Sequence, residues 1–202
     1  MAEITTPTGL GVPPDRNSAT RILEAALELF AEKGYQATSI REICERAEIT
    51  RPTLYYFFES KEGLYRAIVA EANREFYRTV SEGLASKTDL RGKYKGVARM
   101  FFEDVRLRPT LVRFMYSLVW STTASPFAQE LHQTYAVVVE RMSDAARQAA
   151  RQGEITVERL ELRMLVLMGA LGEAISSFLF LGTELTPELA DEIVDLVFDG
   201  WK

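Results

Sequence analysis

The sequence predicts an all-α protein of about nine helices, and three observations carry that reading. Apolar residues recur at three- and four-residue spacing along nearly the whole chain. Ser, Thr or Asp with Pro or Glu just inside precedes several of these segments, as at helix starts. No stretch shows the period-two alternation of a half-buried strand. The 202 residues, 47% hydrophobic and 26% charged, exclude a disordered chain and suit a small head joined to a larger body. One cysteine excludes an intrachain disulfide framework and fits a reducing, cytoplasmic setting.

Residues 1–15 carry Pro7, Gly9, Gly11, Pro13 and Pro14 and read as a flexible tail. They lack a basic region followed by an apolar stretch, so a signal peptide is not expected. The first helix, about Ser18 to Lys33, places Ile22, Ala26, Leu29 and Phe30 on one face, and Gly34 stops it. The second carries Ile40, Ile43, Cys44 and Ala47, with Ser39 and Glu42 spaced as a capping box. After a break at Glu48 and Ile49, Thr50 caps a third helix, with Pro52 in its first turn and Leu54 and Phe58 inward. Ser60 caps a fourth, from Lys61 to about Ala85. Longer helices follow over Asp89 to Arg106, Pro109 to Trp120, Ser125 to Gln152, Thr156 to Leu181 and Thr186 to Trp201. Three short helices with a tight second-to-third break make a helix-turn-helix. The expected division is therefore a tail over 1–15, a DNA-binding head over 16–64 and a body over 65–202.

Met164 to Thr183 is a twenty-residue stretch with one charge, Glu173, long enough to span a bilayer. Gly169, Gly172, Ser176 and Ser177 dilute it, and burial between protein helices, with no membrane partner, is the expected solution. Glu173 itself reads as a carboxylate paired with Arg or capped by hydroxyls, or else as a polar anchor in a pocket. His132 is the only histidine and has no neighbouring ligands, so neither a metal site nor a cofactor is expected. Cys44 shares a face with Ile40 and Ile43 and reads as a small core residue. A Gly-rich phosphate loop and a GxSxG elbow are both missing from the sequence, and one His serves only one role. The usual nucleophilic constellations thus find no components, and an enzyme is not expected.

Net charge is -5. Over 15–66, eight Lys and Arg stand against nine Asp and Glu. Any DNA binding must therefore rest on a few focused contacts and helix N-termini, not on a broad positive field.

Thr38 to Leu64 reads TSIREICERAEITRPTLYYFFESKEGL. This resembles the head of the TetR family of ligand-responsive transcriptional regulators, whose pattern is a Thr/Ser-started helix, a turn, Thr-Leu-Tyr, an aromatic run and Lys-Glu. The likeness is dense over about Ser18 to Ile68 and diffuse beyond. It implies that the third helix enters the major groove of double-stranded operator DNA. There Arg51 reaches base edges, Tyr55 lies one turn on, and Thr50 and Thr53 suit phosphate oxygens. By the same resemblance Arg41 positions or reads from the second helix, Lys61 holds a phosphate and Tyr56 helps at the groove wall. Ser39 and Pro52 complete the expected contact set. Two departures stand out: Glu48 where the family often has Gly in the turn, and Phe57 where it often has His.

The resemblance further implies a homodimer built from the last two helices. The expected interface is Leu160, Met164, Leu167, Met168, Leu171 and Ile175 on one helix and Leu189, Ile193, Leu196 and Val197 on the other. It also implies a cavity for a small, largely apolar or aromatic effector, with Phe102, Met115, Trp120, Phe127, Tyr135 and Glu173 as the expected lining. The function so implied is repression at a palindromic operator, relieved by ligand. The open alternatives are activation by the same architecture and a helical interaction module that reads no DNA.

Overall fold

In this computed structural model the described residues are 16–86, 89–119, 126–156 and 158–199. Among them every regular element is a helix: α1 (Arg16–Ala37), α2 (Ile40–Arg46), α3 (Arg51–Phe58), α4 (Lys61–Leu84), α5 (Leu90–Leu107), α6 (Pro109–Val119), α7 (Pro126–Arg151), α8 (Leu160–Leu181) and α9 (Pro187–Asp199). The chain divides into two units, Met1–Tyr65 and Arg66–Lys202, with the division inside α4. The tail over 1–15 lies outside the described residues, as does Trp201.

In the first unit, the face of α1 foreseen from spacing is the buried one: Ile22, Ala26, Leu29 and Phe30 are all inside. Gly34, at φ 83°, breaks α1, a conformation glycine adopts without the Cβ penalty. Thr38 then turns the chain, its hydroxyl donating to the Leu29 and Gly34 carbonyls at 3.2 and 2.9 Å. These bonds reach back across the Gly34 break and tie α1 to the start of α2. Ile43, Leu54 and Leu64 close the core from α2, α3 and α4, with Phe30, Tyr35 and Tyr65 in edge and tilted ring contacts.

The second unit is built around α5, α7, α8 and α9. Val97, Phe102, Val138, Met142, Met164, Leu167 and Val194 fill its centre. The buried Tyr94 hydroxyl donates to the Met142 carbonyl at 2.7 Å, so a polar group inside the core is satisfied. Gly83 lets α4 approach α5: a Cβ there would meet the Val97 backbone at 2.9 Å. Charges on α5 and α9 form an antiparallel ladder. Arg91 reaches Asp195 and Asp199 at 3.1 and 3.0 Å, Lys95 reaches Asp195 at 2.8 Å, and Arg99 holds Asp191.

One helix start differs from expectation. Thr156 does not open α8, which begins at Leu160 after Gly153 and Arg159 adopt φ 78° and 55°. The reason is long-range: the Glu154 carboxylate caps the N-terminus of α5 by accepting from the Leu90 amide. That contact holds residues 152–156 in a turn.

Candidate nucleic-acid interface

The third helix is short, and its ends are fixed from within. The Thr50 hydroxyl accepts from the Thr53 amide at 3.4 Å and lies 2.9 Å from the Thr53 hydroxyl, while Pro52 occupies the first turn. Leu54 is fully buried and seats the helix. Its other side carries Arg51, Tyr55 and Tyr56, with the tyrosines 47% and 72% exposed. Arg51 is exposed and makes no hydrogen bond or ion pair among the described residues. Arg51 and Tyr55, four apart, project from one face, as the spacing implies. An unengaged guanidinium beside an exposed phenol near a helix N-terminus suits a base edge and a phosphate.

The second helix supports this face. Ser39 and Glu42 form the full capping box, side chain to backbone in both directions. Lys33 pairs with the same carboxylate, and its hydrogen bond, with those from Ser39, pulls the Glu42 carboxyl down to about 2. Arg41 is exposed and paired with Glu45 at 2.7 Å, which raises its pKa. Arg46, also exposed, is paired instead with Glu28 and Glu32 of α1 at 3.0 and 3.3 Å, which links α2 to α1. In the turn between α2 and α3, Glu48 sits at φ 53°, left-handed backbone that favours glycine.

Lys61 is placed differently from the sequence expectation. Its ammonium donates to the Tyr35 and Thr38 carbonyls at 2.8 and 2.9 Å and lies 4.2 Å from the Tyr35 ring centroid. Partial burial pushes its pKa down. Two of the three ammonium hydrogens thus stitch α4 to the end of α1, which leaves one for a phosphate. Nothing in a one-dimensional pattern reveals that pairing across more than twenty residues.

In the second unit the residues expected to line an effector site differ in burial. Phe102 is buried in the core, Met115 is half-buried on α6, and Tyr135 and Glu173 are exposed on α7 and α8. Trp120 and the Phe127 side chain lie outside the described residues. Among the described residues an open cleft of about 630 Å³ lies between α4 and α7, lined by Ala70, Asn73, Arg74, Tyr77, Gln133, Thr134 and Val137. Asn73 is only 8% exposed, and among the described residues its Oδ1 has no hydrogen-bond partner. An unsatisfied buried amide oxygen costs about 1–3 kcal/mol, so a ligand donor there would be rewarded. Sequence reading passed over this set because its members come from two distant helices and include no apolar run. His132 is exposed on α7, and Cys44 is buried, with its thiol pushed up by burial.

The expected pairing surface also needs correction. Leu160, Met164, Leu167, Met168 and Leu171 on α8, and Ile193 and Val197 on α9, are buried in the protomer's own core. Ile175 and Leu189 are partly buried against it. Of the expected residues only Leu196 stands out, 77% exposed. The free face of α8 is the opposite one: Leu162, Leu165, Val166 and Phe180, with Leu165 66% exposed. Only 28% of the most apolar part of α8 is buried within the chain, although the helix is long and apolar enough by composition to cross a membrane. Both sides of α8 are apolar, so spacing alone does not reveal which side the core takes.

Comparison with known proteins bears on the head most directly. Residues 22–68 match the family model described as bacterial regulatory proteins, tetR family. The chain is similar to the HTH-type transcriptional regulator UidR of Escherichia coli (strain K12), 27% identical over 137 residues, 68% of each chain. It is 34% identical over 85 residues to the HTH-type transcriptional activator FasR of Mycolicibacterium smegmatis, covering 42% of this chain and 39% of that one. Among solved structures it shares its fold with the fatty acid degradation regulator FadR of Bacillus halodurans: TM-score 0.77, 17% identity, 94% of this chain and 98% of that. FadR of Bacillus subtilis, in complex with stearoyl-CoA, gives a TM-score of 0.74 at 19% identity, covering 90% and 98%.

Proposed function

Since the chain is a helix-turn-helix DNA-binding transcriptional regulator of the TetR family, we propose that it is a cytoplasmic homodimer that represses transcription at a palindromic operator and is released by a small effector. The observation that carries the DNA-reading part is α3 itself. Arg51 is exposed and unengaged, with Tyr55 beside it, on a helix capped at Thr50 and seated by Leu54. Arg51 reads a base edge and Tyr55 contacts a base methyl or phosphate. Ser39, Arg41, Thr50, Pro52, Thr53, Tyr56 and the remaining hydrogen of Lys61 fix the helix against the backbone. Because the head is nearly neutral, one copy holds DNA weakly. Two copies reading half-sites roughly 34–36 Å apart supply the missing affinity and specificity.

The second copy packs on the exposed side of α8 together with Leu196 of α9. Apolar area of this extent on one helix is otherwise left in water, which is unfavourable by about 25 cal/mol per Å². The effector enters the α4–α7 cleft. Its walls suit an apolar or aromatic body, and Asn73 and Thr134 suit a hydrogen-bonding group. Acyl thioesters are the first class to test, given the ligand of the Bacillus subtilis fold neighbour. The effector acts because α4 starts beside α3 and runs into the cleft wall. A ligand that favours one placement of α4 shifts the head's affinity for DNA by its differential binding to the two states.

Selection of bound fragments from genomic DNA, followed by sequencing, tests this reading. A palindrome should be enriched by the wild type. Arg51→Ala should lose about 1–3 kcal/mol of binding at one base position of each half-site, with an unchanged melting temperature. Equal binding to operator and random DNA by the wild type at low salt would sink it. Stearoyl-CoA, with coenzyme A as control, is the probe for release. If it binds the free protein and the DNA complex equally, it is not the effector.

A further inference from the structure

The exposed stripe of α8 contains one charge. Leu162, Leu165, Val166, Gly169, Ser176 and Phe180 recur along it at helical spacing, and Glu173 stands among them, exposed. Among the described residues its carboxylate forms no ion pair, and its hydrogen bond is a long one, from the Ser177 hydroxyl at 3.4 Å.

Among the described residues the surrounding elements bring it no free cation. On α6, Tyr116 donates to the Gly172 carbonyl at 3.0 Å, and Arg113 donates to the Leu179 carbonyl at 2.9 Å. On α7 the Tyr135 hydroxyl lies within electrostatic reach of Tyr116, as Glu173 does. Burial holds both hydroxyls above their ordinary value, so they stay protonated at neutral pH. On α9 there is no Lys or Arg at all. Its Asp191, Asp195 and Asp199 are matched by Arg99, Lys95 and Arg91 of α5, and Glu188 and Glu192 remain on its exposed side. The one cation on α8, Arg163, is ten residues away, roughly 15 Å along the axis.

We propose that Glu173 sets the strength of pairing between two copies, opposing it at neutral pH and making it tighten with acid. This rests on the reading that the copies pair through α8 and α9. Pairing removes the carboxylate from water together with its twofold mate, and apart from Arg163, which lies off the exposed stripe, α8 and α9 of the second copy add only further carboxylates. Both effects favour the neutral acid form, so the paired state takes up protons from solvent and is favoured as pH falls. An unpaired charge inside an apolar contact weakens that contact, while its uncharged replacement strengthens it.

The experiment is fluorescence-detected sedimentation of the full-length protein across a concentration series at pH 5.5 and 7.5, with circular dichroism to verify folding at each pH. The wild-type dissociation constant should fall at least tenfold from pH 7.5 to 5.5. Glu173→Gln should pair at least tenfold tighter than wild type at pH 7.5 and change less than threefold with pH. Glu173→Leu should pair at least as tightly. If Glu173→Gln and wild type have the same dissociation constant at both pH values, the inference is overturned while the dimer stands. A third variant, Leu165→Asp, separates the two readings: it should be monomeric. If it pairs as tightly as wild type, the α8 face is not the contact, and the dimer reading falls along with the role of Glu173.

Discussion

The head and the body leave opposite things unsatisfied. In the head, polar groups are tied down one after another. Thr38 holds two carbonyls, Ser39 and Glu42 cap each other, Arg46 bridges to two glutamates, and Lys61 closes the end of α1. Exposed on α3 stands a short row, Arg51, Tyr55 and Tyr56. In the body the charges are matched across helices by the α5–α9 ladder, while a broad apolar face on α8 and a buried Asn73 oxygen have no partner. Under the proposed function each region would present the chemistry of its partner: hydrogen-bonding cations and phenols for DNA, apolar area for a second copy, an unpaired amide for a small ligand.

Breaking the head alone gives the largest effect. Leu54→Ala removes the fully buried side chain that seats α3 and should cost about 2–5 kcal/mol of head stability. Operator binding should vanish in a mobility-shift assay while the sedimentation coefficient of the dimer is kept. Loss of dimerisation as well would show that the two regions are not separable.

A smaller effect is expected from Lys61→Met, which keeps the length of the chain but strips two carbonyls of their charged donor. Stability should fall by about 1–3 kcal/mol in denaturant titration. DNA affinity should fall evenly across sequences, because the lost contact is to phosphate. A selective loss at one base pair would contradict the phosphate contact, and unchanged stability would contradict the stitching role.

Glu48→Gly goes the other way. Relieving left-handed backbone at φ 53° should stabilise the head by about 1 kcal/mol, read as a higher melting temperature. Removing a negative charge near the DNA should also tighten operator binding at low salt. Unchanged melting would mean that the turn carries no strain.

The smallest effect belongs to the ladder. Arg99→Ala breaks an exposed pair and should cost less than about 1 kcal/mol, vanishing at high salt. The capping box adds a pH signature to the head. The Glu42 carboxyl is lowered from 4.5 to about 2 on folding, so its contribution is complete above pH 4.5 and fades as pH falls toward 2. Glu42→Gln should remove that part of the acid sensitivity, measured as melting temperature against pH.

The head was legible in the sequence because its determinants are local. Ser39 to Glu42 and Thr50 to Thr53 are cap spacings of three, and the α1 face repeats every three or four residues, so identity and neighbours suffice to place them. Lys61 was legible as a key residue, but its partners were not: Tyr35 and Thr38 lie 26 and 23 positions away. In the body the helices themselves were foreseen, yet α8 started four residues late because Glu154 reaches Leu90 across 64 positions. Phe102 and Met115 were chosen for their chemistry, whereas a cleft is made by where α4 and α7 come together.

What the sequence determined alone is therefore the all-α fold, the order of the helices and the exposed row of Arg51, Tyr55 and Tyr56 on α3. Each of these follows from hydrogen-bonding and burial preferences expressed within one or two helical turns. Only the tertiary structure decided which side of α8 the core takes. Leu160 and Leu162 are both leucine on a helix with almost no polar side, and nothing within the helix distinguishes them. The choice is made by α5, α7 and α9, whose packing buries Leu160, Met164 and Leu167 and leaves Leu162, Leu165 and Glu173 facing outward.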